Sequence, residues 1–424
     1  MASERRTLKI DDLKANQDSA IAIGPFGSRM KADLYVPVGV PVIRGNNLGS
    51  SKYLSGEYVF VSEATADQLK SCNVFPGDLV FPHRGAIGEV GIVPTDKFRR
   101  FILSTSLMKL SCNRDVVSPL YLYYFFRSPN GKHELLKRSS TVGTPGIGQP
   151  LTSLRSIEVS LPEVREQDAV AHILGTLDDK IELNRKMNEK LESMAGALYK
   201  SWFVDFDPVR AKVEGRDTGL PAHIAALFPD SFEDSELGEI PKGWTVKSLG
   251  NLIELAYGKA LKEGDRKPGR VAVYGSNGQI GWHNEKLADG PGIVVGRKGN
   301  PGIVTWVPID FFAIDTTFYV LPKTNCDSLY FLFMALKGHD LASLGADSAV
   351  PGLNRNMAYM SKQLVPSLLA LQAFDQQVRT LFDRVQNGKE ESLSLAALRD
   401  ALLPRLISGE LRPSSASRIA GEGI

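Results

Sequence analysis

The sequence predicts an α+β chain: two similar, mostly-β modules separated by two long antiparallel helices, the halves related by an approximate two-fold. Three observations lead there. One glycine-punctuated segment occurs twice, each occurrence sits among short β-rich runs, and each module leads into a heptad-like stretch of ~40 residues.

The duplication comes first. Residues 77–93, Gly-Asp-Leu-Val-Phe-Pro-His-Arg-Gly-Ala-Ile-Gly-Glu-Val-Gly-Ile-Val, return in altered form as residues 290–307. Laying Gly85 on Gly299 and Gly88 on Gly302 takes one offset, 214, and brings Arg84 onto Lys298. With small gaps, 103–107 then matches 314–318, Leu120-Tyr121 matches Leu329-Tyr330, Pro145-Gly146-Ile147 matches Pro351-Gly352-Leu353, and Leu161-Pro162 matches Val365-Pro366. A chain built from two like modules is suited to gripping one partner at two places.

Each module is read as β from its runs. Residues 40–43, 78–81, 92–93, 271–274, 293–294 and 318–321 are β-branched or aromatic and closely bounded by Gly or Pro. Short helices are expected at 64–70, 119–126 and 328–337, the last two at matched places of the repeat. After the first module, Leu161-Pro162-Glu163 puts a proline and an acid where a helix N-terminus tolerates both. Val170, Leu174, Leu177, Ile181, Leu191, Ala195, Leu198 and Trp202 then step by three and four, a coiled-coil seam with Asn184 and Asn188 as polar members. The second long helix is expected from Leu368, with Leu371, Phe374, Val378, Leu381 and Val385 in the seam, an interruption at Gly388, and Leu395, Leu398 and Leu402 before Pro404 weakens the end. Faltering at matched depths, the helices are expected to pair antiparallel into a rod of about 60 Å. Helix pairing is assigned to Leu177, Ile181, Asn184, Asn188, Leu191, Leu198, Val378, Leu381, Val385 and Leu395.

The resulting division is a first module at 1–160, a central helix at 161–204, an acidic, proline-containing linker at 205–240, a second module at 241–366, a C-terminal helix at 367–411 and a flexible tail at 412–424. At 424 residues the chain exceeds what one core usually organises. Charge follows the same boundaries. Residues 1–160 hold 20 Lys and Arg against 14 Asp and Glu, and 241–366 hold 14 against 10, whereas 161–240 hold 9 against 17. Cationic modules around an acidic connector would draw a polyanion to the modules alone.

Several chemistries find no support. There is no phosphate-cradling glycine loop of either common kind. Asp207-Pro208-Val209 only superficially resembles the Asp/Asn-Pro-Pro-aromatic element of amino-methyltransferases, lacking its second proline and its aromatic residue. His83, His133, His172, His223, His283 and His339 are scattered without metal-ligand spacing, and Cys72, Cys112 and Cys326 are too few and too far apart for a zinc site or a disulfide framework. No apolar run reaches the ~18 residues of a membrane helix and the N-terminus lacks a signal core, so a cytoplasmic protein is expected. Neither an active site nor a metal or cofactor of its own is expected.

The run 171–189, Ala-His-Ile-Leu-Gly-Thr-Leu-Asp-Asp-Lys-Ile-Glu-Leu-Asn-Arg-Lys-Met-Asn-Glu, followed by Ala-Leu-Tyr-Lys-Ser-Trp-Phe-Val-Asp-Phe at 197–206, resembles the central region of the specificity subunits of Type I restriction-modification systems. Gly24-Pro25-Phe26-Gly27-Ser28 with 41–47 is similar to the opening of that family's target recognition domain, and 402–411 to its C-terminal ending. The resemblance covers nearly the whole chain. It implies a non-catalytic subunit whose modules are target recognition domains, each reading half of a bipartite double-stranded DNA sequence, with the helices fixing the gap. It also implies two modification (methyltransferase) subunits, which bind S-adenosylmethionine and methylate adenine, and restriction (translocase/nuclease) subunits using ATP and Mg.

Base discrimination calls for directional side chains in turn-rich segments, and phosphate affinity for Lys and Arg. The DNA-contact candidates are Ser28, Arg29, Lys31, Arg44, Asn46, Asn47, Arg84, Thr141 and Thr144 in the first module. In the second they are Asn277, Gln279, His283, Arg297, Lys298, Asn300, Asn354, Arg355 and Asn356. Because the modules differ strongly, the half-sites should differ, giving an asymmetric interrupted target. Two alternatives stand beside this reading: a coiled-coil scaffold whose repeats bind protein, and a self-contained DNA methyltransferase.

Overall fold

The computed structural model describes residues 5–26, 29–49, 51–140, 143–324, 326–345 and 352–416. They divide into two compact units, Met1–Arg185 with Glu390–Ile424, and Lys186–Lys389.

The first unit holds a four-stranded antiparallel sheet in the order Ile21–Ile23, Leu107–Leu110, Leu79–Pro82, Gly91–Ile92. Its central strands are buried on both faces and apolar except for Lys109, whose Nζ donates to Asn73 O, and Met108 lies opposite Ile23 on one side and Phe81 on the other. A five-stranded sheet follows, Tyr35–Val36, Val59–Val61, Val40–Ile43, Phe101–Leu103, Asn73–Val74, with Val40–Ile43 parallel to Phe101–Leu103. The helix Pro119–Arg127 begins with proline, where the missing N–H leaves no helical bond unmade, and buries Tyr121 through Phe126 against the first sheet. Arg6–Lys9 pairs antiparallel with Glu158–Leu161.

The second unit repeats this plan. Its four-stranded sheet runs Ile253–Tyr257, Thr317–Pro322, Gly292–Gly296, Val304–Val307, the same order and directions as in the first unit. Val271–Gly275 is parallel to Phe311–Ala313, as Val40–Ile43 is to Phe101–Leu103. Leu329–Gly338 takes the place of Pro119–Arg127, and Thr245–Ser248 pairs with Lys362–Val365. The hydrogen bonds refine the alignment by one residue. Leu107 N donates to Ser104 O and Thr317 N to Ile314 O, so Leu107 answers Thr317, not Phe318. The glycine-rich match at offset 214 stands: Gly85 and Gly299 have φ of 81° and 80°, Gly88 and Gly302 of 88° and 83°, the left-handed region that glycine enters without a Cβ penalty.

The two long helices are Val164–Phe203 and Leu368–Ser408. In the first unit Val170, Leu174 and Leu177 share a core with Leu395, Leu402 and Leu406. In the second, Ala195, Trp202 and Phe203 share one with Leu371, Phe374 and Val378. In each unit an early stretch of one helix therefore meets a late stretch of the other, the antiparallel arrangement the seam predicted. Each fully buried leucine contributes about 2 kcal/mol, so these faces, not intrinsic propensity, hold the helices. Leu177, Val378, Val385, Leu395 and Asn188 are buried, while Ile181, Asn184, Leu191, Leu198 and Leu381 are half-buried. Asn184 Nδ2 donates to Glu391 Oε2 at 2.7 Å.

The two expected weak points of the second seam lie within one continuous helix. The second helix is continuous through Gly388, which stands against Asn188. It also continues past Pro404 to Ser408, because Leu402, Leu403, Leu406 and Ile407 are all buried and packing outweighs the lost backbone bond. Residues 205–240, expected as a partly ordered linker, carry the helix Asp207–Val213 and the hairpin Phe232–Ser235 with Gly238–Pro241, and place Val209, Ile224, Phe228 and Ile240 in the second unit's core. Of the expected tail, residues 417–424 lie outside the described residues.

Candidate nucleic-acid interface

In both units the same loops gather at one end of the four-stranded sheet. The first edge strand ends at Gly24 or Gly258, whose N–H donates to Leu107 O or Thr317 O. A Cβ at Gly24 would lie 1.8 Å from Ser104 O, and at Gly258 2.1 Å from Ile314 O, so only glycine lets the chain turn away there. The third strand leaves the sheet into the turns at Gly85 and Gly299. Those turns are tied to a distant loop. Ile147 N donates to His83 O, and Leu353 N to Arg297 O, each at 2.9 Å. An isolated antiparallel bridge pairs Arg84 with Gly146 and Lys298 with Gly352. The 84/298 cation thus stands at equivalent places, exposed in both units.

Asn46 and Asn277 are a second equivalent pair, each three residues beyond a matched strand residue, Ile43 or Tyr274, whose carbonyl accepts from Ser104 N or Ile314 N. Both are exposed. Asn300 Nδ2 donates to Asn277 Oδ1 at 2.5 Å, and Ser276 Oγ donates to Lys298 O at 2.6 Å and Thr316 O at 2.8 Å, so the 276–277 and 298–300 turns form one surface. Arg297 and Arg355 meet over Tyr257, their guanidinium carbons 5.3 and 4.9 Å from its ring centre.

Other candidates are occupied inside their own unit. Asn47 is 2% exposed; its Oδ1 accepts from Arg44 N, and its Nδ2 donates to Ser55 O and Glu57 O. That geometry shapes the 44–57 loop and leaves little for a base. His283 is buried, its Nδ1 accepting from Lys267 N at 3.1 Å. Asn354 caps the helix Arg355–Met360 by accepting from Asn356 N and Met357 N. Arg44 is half-buried, and its Nε has no hydrogen-bond partner among the described residues. Arg29, Lys31, Thr144, Gln279 and Asn356 are exposed, whereas Ser28 and Thr141 lie outside the described residues.

The sequence reading missed the residues that brace these loops. Tyr257 carries no motif, only its place at the end of a strand. Lys52, 6% exposed, donates to Gly175 O at 3.3 Å and pairs with Asp179 at 2.7 Å, fastening a loop of the first unit to its long helix. Asp178 accepts from Tyr124 Oη and from Arg399 Nη1, both at 2.7 Å. Burial, and next the Asp178 charge, push the Tyr124 phenol far above its ordinary range, so it stays a donor. His83 is held below the usual imidazole range by burial and stays neutral at pH 7. Among the described residues no group of three or more His, Cys, Asp or Glu could hold a metal ion. Such surfaces supply hydrogen-bond donors, acceptors and positive charge.

Comparison with known proteins is consistent with this geometry. Residues 27–193 match the family model described as Type I restriction modification DNA specificity domain. The chain is 27% identical over 445 aligned positions to the Type I restriction enzyme HindI specificity subunit of Haemophilus influenzae, covering 88% of this chain and 94% of that one. It is 25% identical over 393 positions to the MjaIX specificity subunit of Methanocaldococcus jannaschii, covering 84% of each. Among solved structures, the S subunit of the Type I system of M. genitalium matches with a TM-score of 0.59 at 18% identity over 95% of this chain and 96% of that one, a likeness of fold.

Proposed function

We propose that this chain, a member of the specificity subunits of Type I restriction-modification systems, reads two unlike half-sites of double-stranded DNA, one with each β-rich unit, and has no catalytic step of its own. The observation that carries this reading is the recurrence of one loop architecture in both units, with a cation at the 84/298 place and an asparagine at the 46/277 place. Between those equivalent positions the side chains differ, as two unlike half-sites require. The recognition regions would be residues 1–160 and 241–366, with the long helices setting the gap.

Two modification subunits that bind S-adenosylmethionine and methylate adenine would dock on the chain, with restriction subunits beyond them. A cytoplasmic location fits that assembly, and no helix among the described residues is long and apolar enough to cross a membrane. Titrating DNA binding against salt tests the reading. Phosphate-driven affinity falls linearly on a log–log plot as salt rises; binding that ignores salt would favour a protein scaffold. Binding of S-adenosylmethionine by the purified chain alone would favour a self-contained methyltransferase.

A further inference from the structure

The cation at position 84/298 recurs in both units, but the pair of guanidinium groups on Tyr257 does not. By the same hydrogen-bond equivalences Tyr257 answers Ile23 and Arg297 answers His83, and the first helical residue of the following loop is Arg355 in one unit and Pro150 in the other. The first unit therefore puts an aliphatic side chain, a buried neutral imidazole and a proline where the second puts an aromatic ring and two arginines.

Arg297 is unusually fixed for a surface arginine. Its N–H donates to Thr316 O and its carbonyl accepts from Leu353 N, both at 2.9 Å. Its Nε and Nη2 both donate to Asp315 O, at 3.1 and 2.5 Å, and its guanidinium faces Tyr257, with Phe318 at 5.9 Å. Tyr257 is itself packed on Phe318, ring centres 5.0 Å apart, yet remains 52% exposed. The Nη1 edge of Arg297 has no partner among the described residues. Neither Arg297 nor Arg355 makes an ion pair there, although the two cations share one ring.

We infer that Arg297 reads a guanine in the half-site of the second unit, with Tyr257 as the residue that positions it. This deepens the proposed function and rests on it. An arginine anchored along one edge presents the other as a rigid two-donor fork, which matches the O6 and N7 acceptors of guanine in the major groove. A phosphate contact needs only a cation, and both units need one; the cation common to both, at 84/298, suits that task. A group present in one unit alone suits sequence reading. Arg355, on the same ring, raises the positive potential that draws the base edge in.

The test uses the full chain assembled with its modification subunits and the duplex they methylate. The half-site belonging to the second unit is the one that changes when residues 241–366 are exchanged. That half should contain an invariant guanine, and replacing it by 7-deazaguanine, which lacks the N7 acceptor, should weaken binding roughly tenfold while the same replacement in the spacer does nothing. Arg297→Lys should relax that single position. Tyr257→Leu should relax it too, and Tyr257→Phe, keeping the ring, should restore discrimination. An assembly that selects no bipartite sequence overturns the proposed function and this inference together. A bipartite target whose second half has no fixed guanine, or tolerates 7-deazaguanine, overturns this inference alone, as does Arg297→Lys weakening all sequences equally, the mark of a phosphate contact.

Discussion

A side-chain carbon on Gly388 would stand 2.7 Å from Oδ1 of Asn188 and 3.2 Å from its Nδ2. The two long helices thus meet there with a polar side chain of one against bare backbone of the other. Asn188 is 8% exposed in spite of its polarity. A methyl group at Gly388 fits only if the Asn188 side chain shifts away, so the asparagine and the glycine form a matched pair that disfavours other registers of the helices.

Gly388→Ala should therefore destabilise the protein, although alanine favours a helix over glycine by about 1 kcal/mol. Overpacking against the buried Asn188 amide, typically about 1–3 kcal/mol, is expected to outweigh that gain, for a net loss of up to about 2 kcal/mol. Asn188→Ala in the same chain should recover most of it, and a double-mutant cycle by urea unfolding measures the coupling. Additive losses would contradict the matched pair.

The sequence reading reached the helices because periodicity reports which face is buried, and it reached the duplication because glycines at positive φ are hard to replace. Gly388 and Pro404, read as weak points of the second seam, lie within one continuous helix: Asn188 of the other helix stands against Gly388, and Leu402, Leu403, Leu406 and Ile407 around Pro404 are buried. In the loops proposed to meet DNA the sequence reading picked out residue types that suit base contact, among them Arg297, Asn277 and Asn46. It could not separate these from Asn47, whose hydrogen bonds run to Ser55 and Glu57 on the far side of a loop, nor find Tyr257, whose importance lies in what rests on its ring.

Asp178 accepts from Tyr124 and Arg399 while largely buried, so removing its carboxylate leaves the Tyr124 phenol without its acceptor and Arg399 held by Asp400 alone. Asp178→Ala, which removes both hydrogen bonds, should cost about 2 kcal/mol, and Tyr124→Phe, which removes one and leaves the ion pair, about 1 kcal/mol. Equal, small effects in unfolding experiments would show that the cluster does not hold the first unit to its helices.

Burial lowers the folded-state pKa of His83 and of His339 below the 6.5 expected when unfolded. Below pH 6.5 the unfolded chain takes up protons that the folded chain refuses, so stability falls as pH drops from 6.5 toward the depressed values and is retained above 6.5. Melting temperature measured between pH 8 and 5 should show this decline, and His83→Gln with His339→Gln should flatten it. An unchanged slope would assign the decline to other groups.

Four residues added to each long helix, near Asn184 and near Gly388, lengthen it by about 6 Å, close to the rise of two base pairs. If the helices set the gap, the distance between half-sites should grow by about two base pairs with both half-site sequences intact. An unchanged gap would assign spacing to another part of the chain.

The central claim is that each β-rich unit reads its own half of the target. Mapping methylated adenines in cells carrying the complete system, before and after residues 1–160 are exchanged for those of a relative, tests it most directly. The account predicts an interrupted, asymmetric motif in which one half is replaced and the other is kept. A continuous or palindromic motif, or a change in both halves at once, would contradict it.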